Sequence, residues 1–390
     1  MLAWSLPVRI PDSFEDLTTW DKLRKRFEIL EGLSEGERRG LYEAIESLES
    51  DLGAGFPGNA VARRHPLVLG FLNRTPLTLR WIIWLAGAVR QSRGWGGYEG
   101  LLGRLRHPGK FDEGLSVLEI AHRFSCAGFE IMIDPSVEVK GRRKVPDLKI
   151  LGDGSELFVE ISIQYQSDAA RDARYAAEVM FSSLMSAPPF LHFSGHLFDN
   201  LGSQSLSELQ EEVRCFIQAS KRDDRFQEFL VEGVLELAVA PDHARDALQD
   251  WADSRGLEVD GFSGPAYAND EIRRTKMKTL KELKQLPVAS ANILVVENSN
   301  LFLHATDIEE VACELEEELH RHPHLLLLVL CGKRLGGGEN TVVKKGPHLF
   351  SQRLKYGILL EQHLLLRNHS CESEVSAATF EKLQAAFCEY

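Results

Sequence analysis

Hydrophobic residues follow two distinct spacings in the middle of the chain. Within Asp112–Cys126 they recur at the i, i+3, i+4 and i+7 positions of one helix face. That face consists of Val117, Ile120, Ala121 and Phe124. Within Glu156–Gln164 apolar and polar residues alternate instead, which is typical of a β-strand with two different faces. The pattern therefore predicts a helix and a later strand that carries Phe158, Glu160, Ser162 and Gln164 on one face.

Other apolar segments extend this arrangement. Strands are predicted at Phe129–Ile133 and Val145–Leu151, a helix at Asp168–Met185 and a fourth strand at Phe190–Leu197. The residues Gly152-Asp153-Gly154-Ser155 have the composition of a hairpin turn between the second and third strands. Residues 111–200 are therefore expected to form one core, in the order helix, strand, strand, strand, helix, strand.

The flanking regions have different patterns. Residues 1–108 are predicted to be helical, with an N-cap pattern opening Ser34–Leu48, and Pro108-Gly109 marks a boundary. Residues 201–390 alternate helix and strand and close with a predicted hairpin from Thr341–Lys345 to Gly357–Leu366. The expected fold is thus α/β, with a helical N-terminal region, a core at 111–200 and a C-terminal region without a legible role.

Composition narrows the class of protein. The 390 residues carry a net charge of −13, and no apolar run is long enough for a transmembrane helix. We expect no signal peptide, and the scattered cysteines fit reduced thiols in the cytoplasm. The acidic balance disfavours general nucleic-acid binding, but Lys140–Lys144 and Arg273–Lys284 are locally basic. The second stretch predicts either a surface for nucleic acid or an acidic partner, or a solvated helix face.

Two carboxylates mark the expected site. Asp147 begins one strand of the predicted hairpin and Glu160 lies in the other, so both can reach the same face. Two neighbouring carboxylates are unfavourable unless a cation lies between them. Mg²⁺ or Mn²⁺ is the usual solution, and such an ion polarises a phosphodiester and activates water.

These residues resemble the motif of the PD-(D/E)xK nuclease superfamily. The match consists of Pro146-Asp147, a 12-residue gap and Glu160-x-Ser162. The resemblance implies a restriction-endonuclease-like fold and metal-dependent cleavage of nucleic acid, with DNA as the expected substrate. It also implies that Asp147 and Glu160 are metal ligands and that Glu119, on the preceding helix, is a third.

The motif departs from the family at Ser162, where a lysine is usual. Three explanations remain open. Lys149 points to the same face of its own strand as Asp147 and could replace that lysine, or Gln164 could position the attacking water. Otherwise catalysis is lost, and the domain binds nucleic acid or serves assembly.

Cations near the motif are candidate phosphate contacts. They are Lys140, Arg142, Arg143 and Lys144 in the turn before Asp147, and Arg171 and Arg174 on the helix after the third strand. Each group has an alternative interpretation as ordinary surface. A third possibility is that the motif is accidental and the protein is an interaction scaffold, with a protein partner bound through the C-terminal region.

Overall fold

A computed structural model gives the architecture of the chain. It describes residues 14–28, 33–73, 75–139, 142–165, 168–185, 187–198, 203–264, 271–283, 286–287, 290–298, 308–335, 338–346, 348–356, 359–373 and 375–389. The chain divides into two compact units, one comprising Met1–Tyr165 with Glu271–Tyr390 and the other Gln166–Asp270. The boundaries expected at residues 108 and 200 do not coincide with this division, because the first unit combines chain from all three predicted regions.

The first unit begins with helices, as predicted for residues 1–108. They are α1 (Trp20–Glu28), α2 (Glu35–Leu52), α3 (Phe56–Ala62), α4 (Leu67–Leu72), α5 (Pro76–Ser92), α6 (Tyr98–Arg106) and α7 (Phe111–Cys126). The predicted cap of α2 is confirmed, since Ser34 and Glu37 form a reciprocal capping box. Gly128, directly after α7, has a φ of +89°, which ends the helix in the backbone conformation that glycine tolerates best.

Five strands follow α7. They are β1 (Glu130–Ile133), β2 (Val137–Val139), β3 (Arg142–Lys144), β4 (Leu148–Gly152) and β5 (Ser155–Gln164). The predicted hairpin is confirmed: β4 and β5 pair antiparallel, and Asp153 and Gly154 both have positive φ at the turn. The basic stretch was expected to be a turn, but Arg142–Lys144 pairs with Val137–Val139 as a short two-stranded ribbon.

The second unit contains α8 (Asp168–Leu184), β6 (Leu191–Leu197), α9 (Ser203–Asp223), β7 (Gln227–Val231), β8 (Leu235–Pro241), α10 (Arg245–Asp253) and β9 (Gly261–Ser263). In the described part of this unit, four strands form a sheet in the order β7-β8-β6-β9. The predicted strand Phe190–Leu197 therefore exists as β6, but it is not the fourth strand of the predicted core. Its hydrophobic residues pack instead with those of α8 and α9.

The chain then returns to the first unit. Its remaining elements are α11 (Glu271–Glu282), β10 (Ala291–Asn298), α12 (Ile308–His320), β11 (Leu325–Leu335), β12 (Thr341–Lys345), β13 (His348–Lys355), β14 (Leu359–Arg367) and α13 (Ala377–Cys388). The predicted closing hairpin is wrong, because β13 lies between its two expected strands and pairs with both.

Among the described residues of the first unit, eight strands form one mixed sheet in the order β1-β4-β5-β10-β11-β14-β13-β12. Strands β5, β10 and β11 are parallel, and the flanking pairs are antiparallel. Alternate residues of the central strands face opposite cores: α7 and α13 cover one face, and α12 covers the other. The parallel neighbour of β5 in this sheet is β10.

In the portion of the chain that the structure describes, helices fall short of the combined length and apolar character needed to cross a membrane.

Candidate active site

The β4–β5 hairpin brings Asp147 and Glu160 together. The register pairs Leu148 with Val159, so Asp147, one residue before β4, lies opposite Glu160. The Asp147 Oδ2 atom accepts a hydrogen bond of 2.8 Å from the backbone N–H of Ile161. The backbone N–H of Asp147 in turn donates to the Glu160 carboxylate. Each carboxylate is thus held by the backbone of the opposite segment.

Burial makes both carboxylates costly to ionise. Glu160 is only 8% exposed. Its pKa is raised to about 8, mainly by burial and secondly by the nearby Asp147 carboxylate. Burial also raises the pKa of Asp147 to about 6, against the opposing effects of the Ile161 hydrogen bond and Arg104. Paired carboxylates with raised pKa values are characteristic of functional sites, although structural networks can produce them too.

Both carboxylates line a cavity of about 260 Å³. Other polar groups that line it are Arg104 of α6, Glu113 and Ser116 of α7, Ser162 of β5, and Lys278 and Glu282 of α11. Arg104 Nη1 lies 3.1 Å from Asp134 and 3.7 Å from Asp147, while Lys278 Nζ lies 3.0 Å from Glu282 Oε1. Positive and negative groups from three helices therefore meet around the two motif carboxylates.

The fit of this cavity to a divalent cation rests on Asp147 and Glu160. Over the residues that the structure describes, no three His, Cys, Asp or Glu side chains are grouped closely enough to hold an ion by themselves. Mg²⁺ is commonly held by one or two carboxylates, with water and substrate phosphate oxygens as its other ligands. Two carboxylates that resist ionisation side by side are consistent with that mode of binding.

The three side chains predicted to act at the motif beside the two carboxylates lie in different surroundings. Ser162 is buried and lines the cavity with Glu160. Gln164 is also buried but lines a second cavity, of about 100 Å³, with Glu119 and Lys333. The Nζ atom of Lys149 lies 2.6 Å from Glu156 Oε2. Glu156 is at the start of β5, four residues before Glu160. The roles predicted for these three side chains stay predictions.

Glu119 is not brought together with Asp147 and Glu160. It belongs to a buried ion cluster, in which its carboxylate lies 2.6 Å from Lys333 and 3.2 Å from Arg123. Arg123, only 2% exposed, also contacts Glu361 at 2.6 Å, and Lys355 contacts Glu361 at 2.7 Å. Burial acts to raise the pKa of Glu119, but Lys333 and Arg123 lower it well below its usual range. Two cations already balance this carboxylate.

The predicted phosphate contacts are scattered. Lys144 does not line the cavity, but its charge acts to lower the pKa of Glu160, and the side chain of Arg143 is exposed. Arg171 lies in the second unit and pairs with Asp168 and Asp172 on its own helix. Lys140 and the side chains of Arg142 and Arg174 lie outside the described residues.

The charged cavity residues that the sequence interpretation did not assign to the site are Arg104, Glu113, Lys278 and Glu282. No local pattern in the sequence distinguishes Arg104, because it is one of two arginines in the last turn of the amphipathic helix α6. Lys278 and Glu282 belong to the basic stretch Arg273–Lys284, which was noted only as a surface. Within that stretch, Lys276 lies 3.8 Å from Glu318 of the acidic helix α12, and Arg274 donates to the Tyr165 carbonyl.

Comparison with known protein families finds no match to the chain, and comparison with curated proteins also finds none.

Proposed function

We propose that the protein hydrolyses phosphodiester bonds of nucleic acid, with DNA as the expected substrate, at the cavity that Asp147 and Glu160 line. The observation that carries this proposal is the meeting of two carboxylates with raised pKa, the buried Glu160 and the half-buried Asp147, beside Arg104 and Lys278. Asp147 and Glu160 would hold Mg²⁺ or Mn²⁺, which supplies Lewis-acid activation of the phosphate and of water. Tyr165, 52% exposed and also lining the cavity, offers a ring for base stacking.

The order of elements supports a restriction-endonuclease-like core within the first unit. α7 precedes the antiparallel strands β1, β4 and β5, and α11 then leads into β10, parallel to β5. The sequence assigned the last helix and strand of the core to Asp168–Met185 and Phe190–Leu197, whereas in the first unit α11 and β10 follow β5, after the inserted second unit. We propose this core as the setting of the site.

A second function, binding without cleavage, is favoured by one observation. The usual motif lysine is replaced by Ser162, and Lys149 is paired with Glu156. If no other cation serves the reacting phosphate, the domain would bind nucleic acid or a partner through the same cavity.

The test is cleavage of single-stranded DNA, double-stranded DNA and RNA by purified protein, with Mg²⁺, Mn²⁺ or EDTA. Asp147→Asn and Glu160→Gln should abolish metal-dependent cleavage. Glu156→Gln is the matched control, because Glu156 lies on the same strand, is 48% exposed in its side chain and does not line the cavity. Cleavage that persists in both cavity variants would contradict the proposal. Metal-independent binding without cleavage would favour the second function.

A further inference from the structure

Helix α11 places a lysine at the motif cavity. Lys278 and Glu282 lie one turn apart on α11 and both line the cavity with Asp147 and Glu160. α11 contacts β5 and β10, so its position is set by the same two strands that form the centre of the sheet. The lysine therefore reaches the cavity that Glu160 lines from a segment more than a hundred residues away in the chain.

The other cation that lines the cavity, Arg104, is held differently. Arg104 lies between the carboxylates of Asp134 and Asp147. Lys278 is paired with Glu282 at 3.0 Å on its own helix, and its side chain is 28% exposed. Lys278 is the more exposed partner, because the side chain of Glu282 is only 7% exposed, so the ammonium is the group that an incoming anion can contact.

We propose that Lys278 supplies the cation missing at Ser162, by donating hydrogen bonds to a non-bridging oxygen of the phosphodiester being cleaved. This inference rests on the proposed function. In the hydrolysis, the water oxygen forms a bond to phosphorus and the bond from phosphorus to the leaving oxygen breaks, giving a phosphate monoester and a hydroxyl. Lys278 keeps its proton throughout and neutralises charge on the phosphate. Glu282 holds the ammonium at the cavity while no phosphate is bound.

The experiment compares Lys278→Ala with Lys281→Ala, an exposed lysine on the same helix. We expect Lys278→Ala to lower kcat by about 100-fold or more, in line with the loss of one preorganised charge-stabilising group. Lys278→Arg should retain part of the activity, and added ethylamine should partly rescue Lys278→Ala. Mn²⁺ affinity of Lys278→Ala should match that of the wild type, since Lys278 is not a ligand. The thermal unfolding midpoint should fall, because the buried Glu282 carboxylate loses this partner.

The outcomes separate the two proposals. A wild type that cleaves, together with a Lys278→Ala variant that cleaves equally well, overturns the role of Lys278 and leaves the proposed function intact. A loss of activity that ethylamine does not rescue and that accompanies lost Mn²⁺ binding also overturns it, because the effect is then structural. A wild type without any metal-dependent cleavage overturns the proposed function and this inference with it.

Discussion

The Asp147 carboxylate and the Ile161 backbone N–H are joined by a hydrogen bond of 2.8 Å, which ties the residue before β4 to the middle of β5. Asparagine can accept the same bond without the charge. We expect the free energy of unfolding of Asp147→Asn to lie within about 1 kcal/mol of the wild-type value. Asp147→Ala should lower the free energy of unfolding by about 1–3 kcal/mol, because the Ile161 N–H is left without its partner. Both variants should lose Mn²⁺ binding, measured by calorimetric titration. Wild-type affinity in Asp147→Asn would show that Asp147 is not a ligand.

The raised pKa of Glu160 predicts how stability depends on pH. The folded pKa is about 8, against an ordinary value of 4.5, so between these values the folded state binds more protons than the unfolded state. Stability contributed by Glu160 is therefore lost as pH rises from about 4.5 to about 8. Glu160→Gln should become progressively more stable than the wild type over this window and keep a constant advantage above it.

Urea unfolding at pH 5, 7 and 9 in EDTA measures this effect. Glu156→Gln, at the exposed end of β5, should follow the wild type at each pH. A stability difference between Glu160→Gln and the wild type that does not change with pH would contradict a buried, mainly protonated Glu160.

The same pKa values predict the pH dependence of cation binding. A divalent ion binds the ionised carboxylates and must displace any proton that they carry. Mn²⁺ affinity should therefore rise with pH through the pKa of Asp147 at about 6 and level off above that of Glu160 at about 8. Titration calorimetry at several pH values should also detect proton release on binding. An affinity independent of pH between 6 and 8 would argue against this site.

The buried ion cluster should be essential to stability. Glu361 contacts both Arg123 and Lys355, and Arg123 is almost completely buried. Glu361→Gln removes the charge that balances them, and we expect a loss of about 3–5 kcal/mol in urea unfolding. Glu35→Gln, which breaks an exposed pair with Arg39, should change stability by less than about 0.5 kcal/mol. Equal effects of the two substitutions would contradict the burial of the cluster.

Two glycines with positive φ should differ in their tolerance of a side chain. Gly154, in the β4–β5 turn, has open space around an added Cβ, so Gly154→Ala should cost about 1 kcal/mol through backbone strain alone. At Gly97, before α6, a Cβ would collide with the Ile133 carbonyl, and we expect Gly97→Ala to cost about 3 kcal/mol or more. Thermal unfolding of the two variants compares them directly, and equal costs would show that the Gly97 backbone can move aside.

The sequence predicted local structure better than it predicted partners. The apolar periodicity of α7, the alternation of β5 and the turn residues Asp153 and Gly154 act over a few residues, and each element formed as expected. The strand β6 was also recognised, but a strand's own pattern does not specify the sheet that it joins. The strand that pairs with β5 is β10, whose uninterrupted hydrophobic pattern suits a strand buried on both faces.

The candidate site was predictable only in part for the same reason. Asp147 and Glu160 are joined by a hairpin, so their proximity follows from local register. Lys278 reaches the cavity only because α11 returns to β5 after the inserted unit, and no periodicity encodes that return. Glu119 has the spacing of a solvated helix position, yet α7 presents it to Lys333 of a distant strand.

The insertion of the second unit also determines the order in which the site can be completed during synthesis. Strands β5 and β10 are neighbours in the sheet, but residues 165–290 separate them in the chain. At about 5–20 residues per second, a ribosome needs about 6–25 s to make that segment. For this interval the hydrophobic edge of β5 has no β10 to pair with, while the inserted unit, which has its own sheet and apolar core, emerges. Asp147 and Glu160 are therefore synthesised early, and Lys278 can join them only after the whole insertion has left the ribosome.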